Sequence, residues 1–239
     1  MKYKYLFFDL DGTLVDTTEG VLKSAQYALS KFAIIVNYAD LIDFFGPPLT
    51  VSFTTLFGLY PREADKAVEF YLERYSVNGF DESCVFPEIP KLLFDLTHAG
   101  YHLGVATSKF ENHAIEMLKK HNIECYFDFI AGANIDETIS KKHEVINELL
   151  ARFDITNNRS SALMIGDMKY DILGAKITGI DSFGIYTGTA KPFEHENAGA
   201  NYIAYSFKQL EEKRLKEFID FWFMRPFHFS SENEHFSHG

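Results

Sequence analysis

Hydrophobic positions along this chain change rhythm twice. The run Tyr5-Leu6-Phe7-Phe8 is continuously apolar, which predicts a short buried strand, and it stops abruptly at Asp9. Past Asp16 the spacing turns helical. Thr17 or Thr18 can cap a helix through Ala28, with Val21, Leu22, Ala25 and Leu29 near helical spacing. Asp40 to Phe45 reads as a short amphipathic piece ended by Gly46-Pro47-Pro48, and Val51 to Phe57 as another stopped by Gly58. Pro61 sits at the first turn of a further helix, Arg62 to Tyr75, with Ala64, Val68, Tyr71 and Leu72 apolar. The block from Asp16 to Ser83 is therefore expected to be all helix with no strand.

From Pro87 onward, short apolar runs alternate with helical patterns. Helix Lys91–Thr97 ends at Gly100 and is followed by strand His102–Ala106, helix Glu111–His121, strand Phe127–Ala131 and helix Lys142–Phe153. Strand Ala162–Ile165, helix Tyr170–Thr178, strand Ser182–Ile185, the run Tyr202-Ile203-Ala204 and helix Phe207–Phe218 complete the series. Such alternation predicts right-handed crossovers and an α/β, doubly wound parallel sheet. The strand ending at Phe8 belongs to that sheet, which makes the helical block an insertion. The expected organisation is a core of residues 1–15 plus 84–223, a helical cap of 16–83 and a C-terminal tail of 224–239. Asp9, Thr107 and Asp167 all fall at carboxyl ends of predicted strands, where open α/β sheets bind ligands. An insertion after the first strand emerges from that same edge and would sit over the site as a lid.

The chemistry on that edge is acidic. Asp9 and Asp11 are spaced two apart before Gly12, a natural sharp-turn residue, and while the backbone is extended they point the same way. Paired acids at a strand end are costly without a cation beside them. A divalent metal answers this, leaving one carboxylate as nucleophile and the other as proton carrier. A formal charge of −11 argues against a non-specific nucleic-acid binder, which needs a basic face. With 46% hydrophobic and 16% aromatic residues the chain reads as globular. No stretch approaches a membrane span, the first apolar run is too short for a signal peptide, and Cys84 and Cys125 lack metal-like spacing. A cytoplasmic protein with free thiols is the expectation. The nine dispersed histidines, His98 and His102 included, are expected on the surface rather than on zinc.

The stretch Asp9-Leu10-Asp11-Gly12-Thr13-Leu14 resembles the first motif of the haloacid dehalogenase-like (HAD) superfamily of phosphohydrolases. Three later stretches resemble its other motifs in order: Gly104 to Lys109, Lys142 opening Lys-His-Glu-Val-Ile, and Met164-Ile165-Gly166-Asp167-Met168-Lys169-Tyr170-Asp171. The resemblance spans Lys4 to about Leu210 and implies a Rossmann-like core with a helical cap between motifs one and two. It implies Asp9 as nucleophile and Asp11 as general acid and base, with Thr107, Ser108 and Lys142 on the phosphate. It also implies Mg²⁺ held by Asp9, Asp11 (through its backbone carbonyl) and Asp167, with Asp171 holding a metal-bound water or orienting Lys142. Lys141 is the alternative to Lys142. Lys109 is a further phosphate neighbour or, as the commoner case, a solvated lysine. Gly46-Pro47-Pro48-Leu49 resembles phosphoglycolate-phosphatase-like members, so the expected partner is a small phosphorylated metabolite, handled by a monomer or homodimer. A nucleoside 5′-monophosphatase, a sugar-phosphate mutase and a non-catalytic phosphate-binding domain are the alternatives.

Overall fold

The computed structural model describes residues 2–134, 138–207 and 209. The helix expected over Phe207–Phe218, apart from its first residues, and the tail 224–239 lie outside the described residues. Strand β1 (Tyr5–Phe8) is followed by β2 (Val15–Asp16), α1 (Thr18–Ser30), a 3₁₀ segment Tyr38–Phe44, α2 (Leu49–Phe57), α3 (Pro61–Arg74), a π turn Tyr75–Gly79 and β3 (Cys84–Val85). The chain continues through α4 (Ile89–His98), β4 (His102–Phe110), α5 (Glu111–Lys120), β5 (Phe129–Ala133) and α6 (Lys142–Arg152). It then runs through β6 (Ala162–Gly166), α7 (Lys169–Thr178), β7 (Asp181–Ile185), α8 (Glu194–Ala198) and β8 (Tyr202–Ala204).

Six strands form one parallel sheet in the order β5-β4-β1-β6-β7-β8, the doubly wound arrangement the alternation predicts. Strand β1 is central because both of its faces can be buried. Leu6 and Phe8 enter one apolar core with Leu103, Val105 and Ile165, while Phe7 enters the other with Ala106, Val145 and Met164. Phe7 stacks on Phe153 at 5.6 Å, and a side chain at Gly104 would lie 3.0 Å from that Phe153 ring, which fixes the close approach of α6 to the sheet. After β1 the chain crosses to the β4 side, and after β6 it crosses to the β7 side. The carboxyl ends of β1 and β6 therefore flank the crevice where the winding reverses.

Three expectations need correction. The helical block is bounded by strand: Val15 pairs antiparallel with Val85 and Asp16 with Cys84, so Asp16 belongs to a two-stranded ribbon. Two-residue strands give no periodicity to read. Strand β4 runs four residues past Ala106, with its register against β5 shifting between Ala106 and Phe110. Helix α8 was not expected. Its five residues, entered from Phe193 at φ +62° and closed by Gly199 at φ +84°, are too few for a helical pattern.

Between β2 and β3, α1 packs on α3 and approaches the π turn so closely that a side chain on Gly20 would lie 2.8 Å from the Gly79 carbonyl. Phe44 packs edge-on to Phe53 at 5.1 Å, and Tyr71 stacks on Tyr75 at 5.4 Å and 10°. Cys84 and Cys125 are free and exposed. Among the described residues, no helix is long and apolar enough to cross a membrane.

Candidate active site at the carboxyl edge of the sheet

Asp9 directly continues β1. Its N–H donates to the Ile165 carbonyl at 2.9 Å, holding it in register with β6, and its Oδ1 accepts the Leu10 N–H at 2.7 Å. The chain then turns sharply through Gly12 at φ +81°. A side chain there would meet Asp167 Oδ2 at 2.2 Å, so Gly12 allows both the turn and the approach of motif four. Asp167 follows β6 and is buried. Its Oδ1 accepts the Thr13 hydroxyl at 2.8 Å and its Oδ2 the Thr189 hydroxyl. Asp171, in the first turn of α7, caps that helix by accepting the Met168 N–H at 3.1 Å. Gly166 makes room for it, since a side chain there would overlap Asp171.

Lys142, not Lys141, enters the site. It opens α6 and is buried, with Nζ 2.7 Å from Asp9 Oδ1, 2.9 Å from Asp171 Oδ1 and donating to the Ala106 carbonyl at 3.0 Å. Lys141 is exposed. Asp9, Asp167 and Asp171 each offer an oxygen within 4.8 Å of the others. Burial pushes Asp9 up to about 7; Lys142 opposes the shift, while Asp171 adds to it. Burial, then Asp9 and Asp171, raise Asp167 well above the carboxylate range. Burial works against the charge of Lys142, but Asp171 and Asp9 prevail and raise its pKa. With the acids ionised, three negative charges face one positive charge in a water-poor site. An all-oxygen donor set with that deficit fits a hard divalent cation such as Mg²⁺.

The Asp11 carboxylate stands apart from this trio. It pairs with Lys109 Nζ at 2.9 and 3.0 Å and accepts the Thr17 hydroxyl at 2.7 Å. Two sequence readings change here. Lys109 is not solvated: its side chain is 8% exposed, and Asp11 raises its pKa against the opposing effect of burial. Thr17 precedes α1 but makes no side-chain cap bond, because its hydroxyl is committed to Asp11. Thr107 is buried and accepts the Lys109 N–H at 3.1 Å, leaving its own hydroxyl proton for another acceptor. Phe110 rather than Thr107 or Ser108 precedes α5, so neither serves as a cap.

One cavity joins these groups. Asp9, Asp11, Thr107, Ser108, Lys109, Lys142, Asp167 and Asp171 line its floor, while Phe44 to Leu49, Tyr71, Leu72 and Tyr75 form the opposite wall. Gly46, at φ +95°, touches the Tyr170 ring so closely that a side chain would overlap it, and Lys191 pairs with Asp43 at 2.5 Å. The first contact sets the Gly-Pro-Pro turn on α7, and the second ties the preceding 3₁₀ segment to the loop after β7. Sequence reasoning missed Thr13 and Thr189, which flank Asp167. It also missed the cavity role of Tyr75, although Tyr71 and Tyr75 at helical spacing do carry that signal.

This arrangement of fold and site has known counterparts. The model of the haloacid dehalogenase-like hydrolases matches residues 6–185, and the chain belongs to that family. It is thereby a hydrolase built on a Rossmann-like core. A 5′-nucleotidase of Pseudomonas aeruginosa is 38% identical over 189 residues, covering 79% of this chain and 85% of that protein. A phosphoglycolate phosphatase of Vibrio parahaemolyticus is 27% identical over 87% of this chain and 95% of its own length. The solved structure of a predicted phosphatase from Clostridium acetobutylicum superposes with a TM-score of 0.86 at 38% identity, covering 90% of this chain and all of that one.

Proposed function

We propose that the chain is a Mg²⁺-dependent phosphomonoesterase that works through an aspartyl-phosphate on a small phosphorylated metabolite. The observation that carries this reading is the placement of Lys142 Nζ against both Asp9 and Asp171, two of the three clustered carboxylates, on the cavity they line. Asp9 attacks phosphorus, and the bond from phosphorus to the leaving oxygen breaks as Asp11 protonates that oxygen. Water then attacks the phosphorus of the acyl phosphate. Asp11 takes up its proton, and inorganic phosphate leaves with the Asp9 carboxylate restored. The Thr107 hydroxyl and the Ser108 N–H donate to the phosphoryl oxygens, and Lys142 balances their charge.

Asp9, Asp167 and Asp171 would hold Mg²⁺, joined by the Asp11 backbone carbonyl as the family resemblance implies. When bound, the ion supplies the positive charge that keeps Asp9 ionised and neutralises the transferring group. Residues 16–83 act as the cap that shapes the leaving-group side. Hydrolysis of p-nitrophenyl phosphate tests the reading: activity should require added Mg²⁺ and fall sharply in Ca²⁺, a larger ion with looser coordination. Full activity in excess EDTA refutes the metal assignment.

A further inference from the structure

We infer that Thr189 is a positioning residue for the metal site: its hydroxyl, acting with that of Thr13, clamps the Asp167 carboxylate in the orientation that receives Mg²⁺. This rests on the metal assignment made above and adds to it a residue outside all four motif stretches and beyond residues 6–185 that the family model matches. Asp167 directly follows β6, whose neighbours in the sheet are β1 and β7. Thr13 reaches it from the turn after β1 and donates to Oδ1 at 2.8 Å, while Thr189 reaches it from the loop after β7 and donates to Oδ2. The last torsion of an aspartate is broad and roughly two-fold, so the carboxylate turns easily about it. A single donor leaves much of that rotation open. One donor on each oxygen, arriving from the two neighbouring strands, closes it and still leaves each oxygen a lone pair for an ion.

Asp167 depends on this clamp more than its neighbours do. Asp9 and Asp171 both pair with Lys142, and each also accepts a backbone N–H, from Leu10 and Met168 respectively. Among the described residues no lysine or arginine pairs with Asp167, and the two hydroxyls supply the hydrogen bonds to its side chain. Asp9 and Asp171 place oxygens within 4.8 Å of it, so an unclamped Asp167 would swing away from these like charges and open the donor set. The loop that carries Thr189 is itself anchored on both sides. Thr187 donates its hydroxyl to the Gly12 carbonyl at 2.7 Å, and Glu194 accepts the Lys169 N–H at 2.9 Å where α7 begins. These bonds tie the loop to the turn beyond Asp9 and to the helix that bears Asp171. Thr189 is half-buried and also lines a second cavity with Leu22, Phe86 and Thr187, which gives an altered side chain room.

Thr189→Val keeps the side-chain shape and removes the donor, and Thr189→Ser restores the donor. Titrating Mg²⁺ into metal-free protein and following the rise in melting temperature gives an apparent Kd with no substrate present. Losing a hydrogen-bond partner of a metal ligand typically weakens metal binding 10–100-fold, so Thr189→Val should raise that Kd by about tenfold or more and Thr189→Ser should stay within about threefold of the wild type. In hydrolysis of p-nitrophenyl phosphate the Mg²⁺ concentration for half-maximal rate should rise in step for Thr189→Val, while KM for the ester at saturating Mg²⁺ holds. If the wild type binds Mg²⁺ and a folded Thr189→Val protein binds it as tightly, the clamp is overturned and the metal assignment stands. Equal losses in Thr189→Val and Thr189→Ser also overturn it, because packing rather than the hydrogen bond would then be responsible. A wild type that Mg²⁺ does not stabilise overturns both. Should Thr189→Val fail to fold, Thr189→Ala, compared with the wild type in the same titration, decides.

Discussion

Replacing Lys142 by Met keeps much of the side-chain volume and removes the cation paired with Asp9 and Asp171. At 2.7 and 2.9 Å each ion pair carries an attraction of about 6 kcal/mol at an effective dielectric of about 20, most of it offset by the desolvation of burial. Removing one partner leaves the acids buried and unpaired, which typically costs about 3–5 kcal/mol. The loss should depend on pH. Asp9 and Asp167 already hold protons more tightly folded than unfolded, so in metal-free protein the cluster costs stability as pH rises from the usual carboxylate range through about 7. Without Lys142, whose charge opposes the burial of Asp9, Asp9 moves further up. Near about pH 5 the native acids bind protons and the mutation is mild, whereas near about pH 8 the acids must ionise unpaired or retain costly protons, and the full loss appears. Urea denaturation of EDTA-treated wild type and Lys142→Met at the two pH values measures this directly. Equal destabilisation at both, or a loss under about 1 kcal/mol at the higher pH, would refute the electrostatic account of the trio.

Three further outcomes follow from the same geometry. Asp9→Asn should abolish turnover and leave no hydroxylamine-sensitive phosphoenzyme, whereas Asp11→Asn should be severely slowed yet accumulate one from an activated aryl phosphate; mass-spectrometric mapping of the phosphoryl group reverses the roles if it is found on Asp11. Gly12→Ala should lose activity and Mg²⁺-dependent thermal stabilisation together, because the added carbon meets Asp167 Oδ2 at 2.2 Å in a backbone region that disfavours side chains, and an unchanged Mg²⁺ response would show the turn to be more yielding than its geometry implies. Exchanging residues 16–83 for the corresponding block of a relative should redirect substrate preference more than it alters turnover of a small aryl phosphate, and an unaltered profile would count against the cap.

The sheet was legible because its strands are contiguous apolar runs. Tyr5-Leu6-Phe7-Phe8 and Ala162 to Ile165 need no partner to be recognised, and the acids that end them are local in sequence. Asp9, Asp11, Thr107, Lys142, Asp167 and Asp171 all line one cavity, because β1, β4 and β6 end side by side and α6 and α7 begin beside them. What escaped was non-local. Thr189 reaches Asp167 from the loop after β7, and nothing near either residue announces the contact. Lys109 looked like an ordinary exposed lysine because its burial depends on Tyr75, contributed by a distant turn. Thr17 looked like a cap because its competing acceptor, Asp11, becomes adjacent only once the chain has turned at Gly12. The short ribbon of β2 and β3 is held by cross-strand pairing that two residues per strand cannot encode.

That ribbon has a consequence for how the molecule can vary. With Val15 beside Val85 and Asp16 beside Cys84, the chain departs from the sheet and rejoins it at a single spot. To the sheet, everything between amounts to one closed loop. Closing a loop of twice the length costs only about 0.6 kcal/mol more. The intervening stretch can therefore lengthen, shorten or be exchanged while the strands bearing Asp9 and Asp167 assemble as before. On the proposed cap reading, inherited change in what the protein recognises gathers on that stretch, at a rate that need not match change on the strands, and Thr17, which holds Asp11, is the point where the two meet.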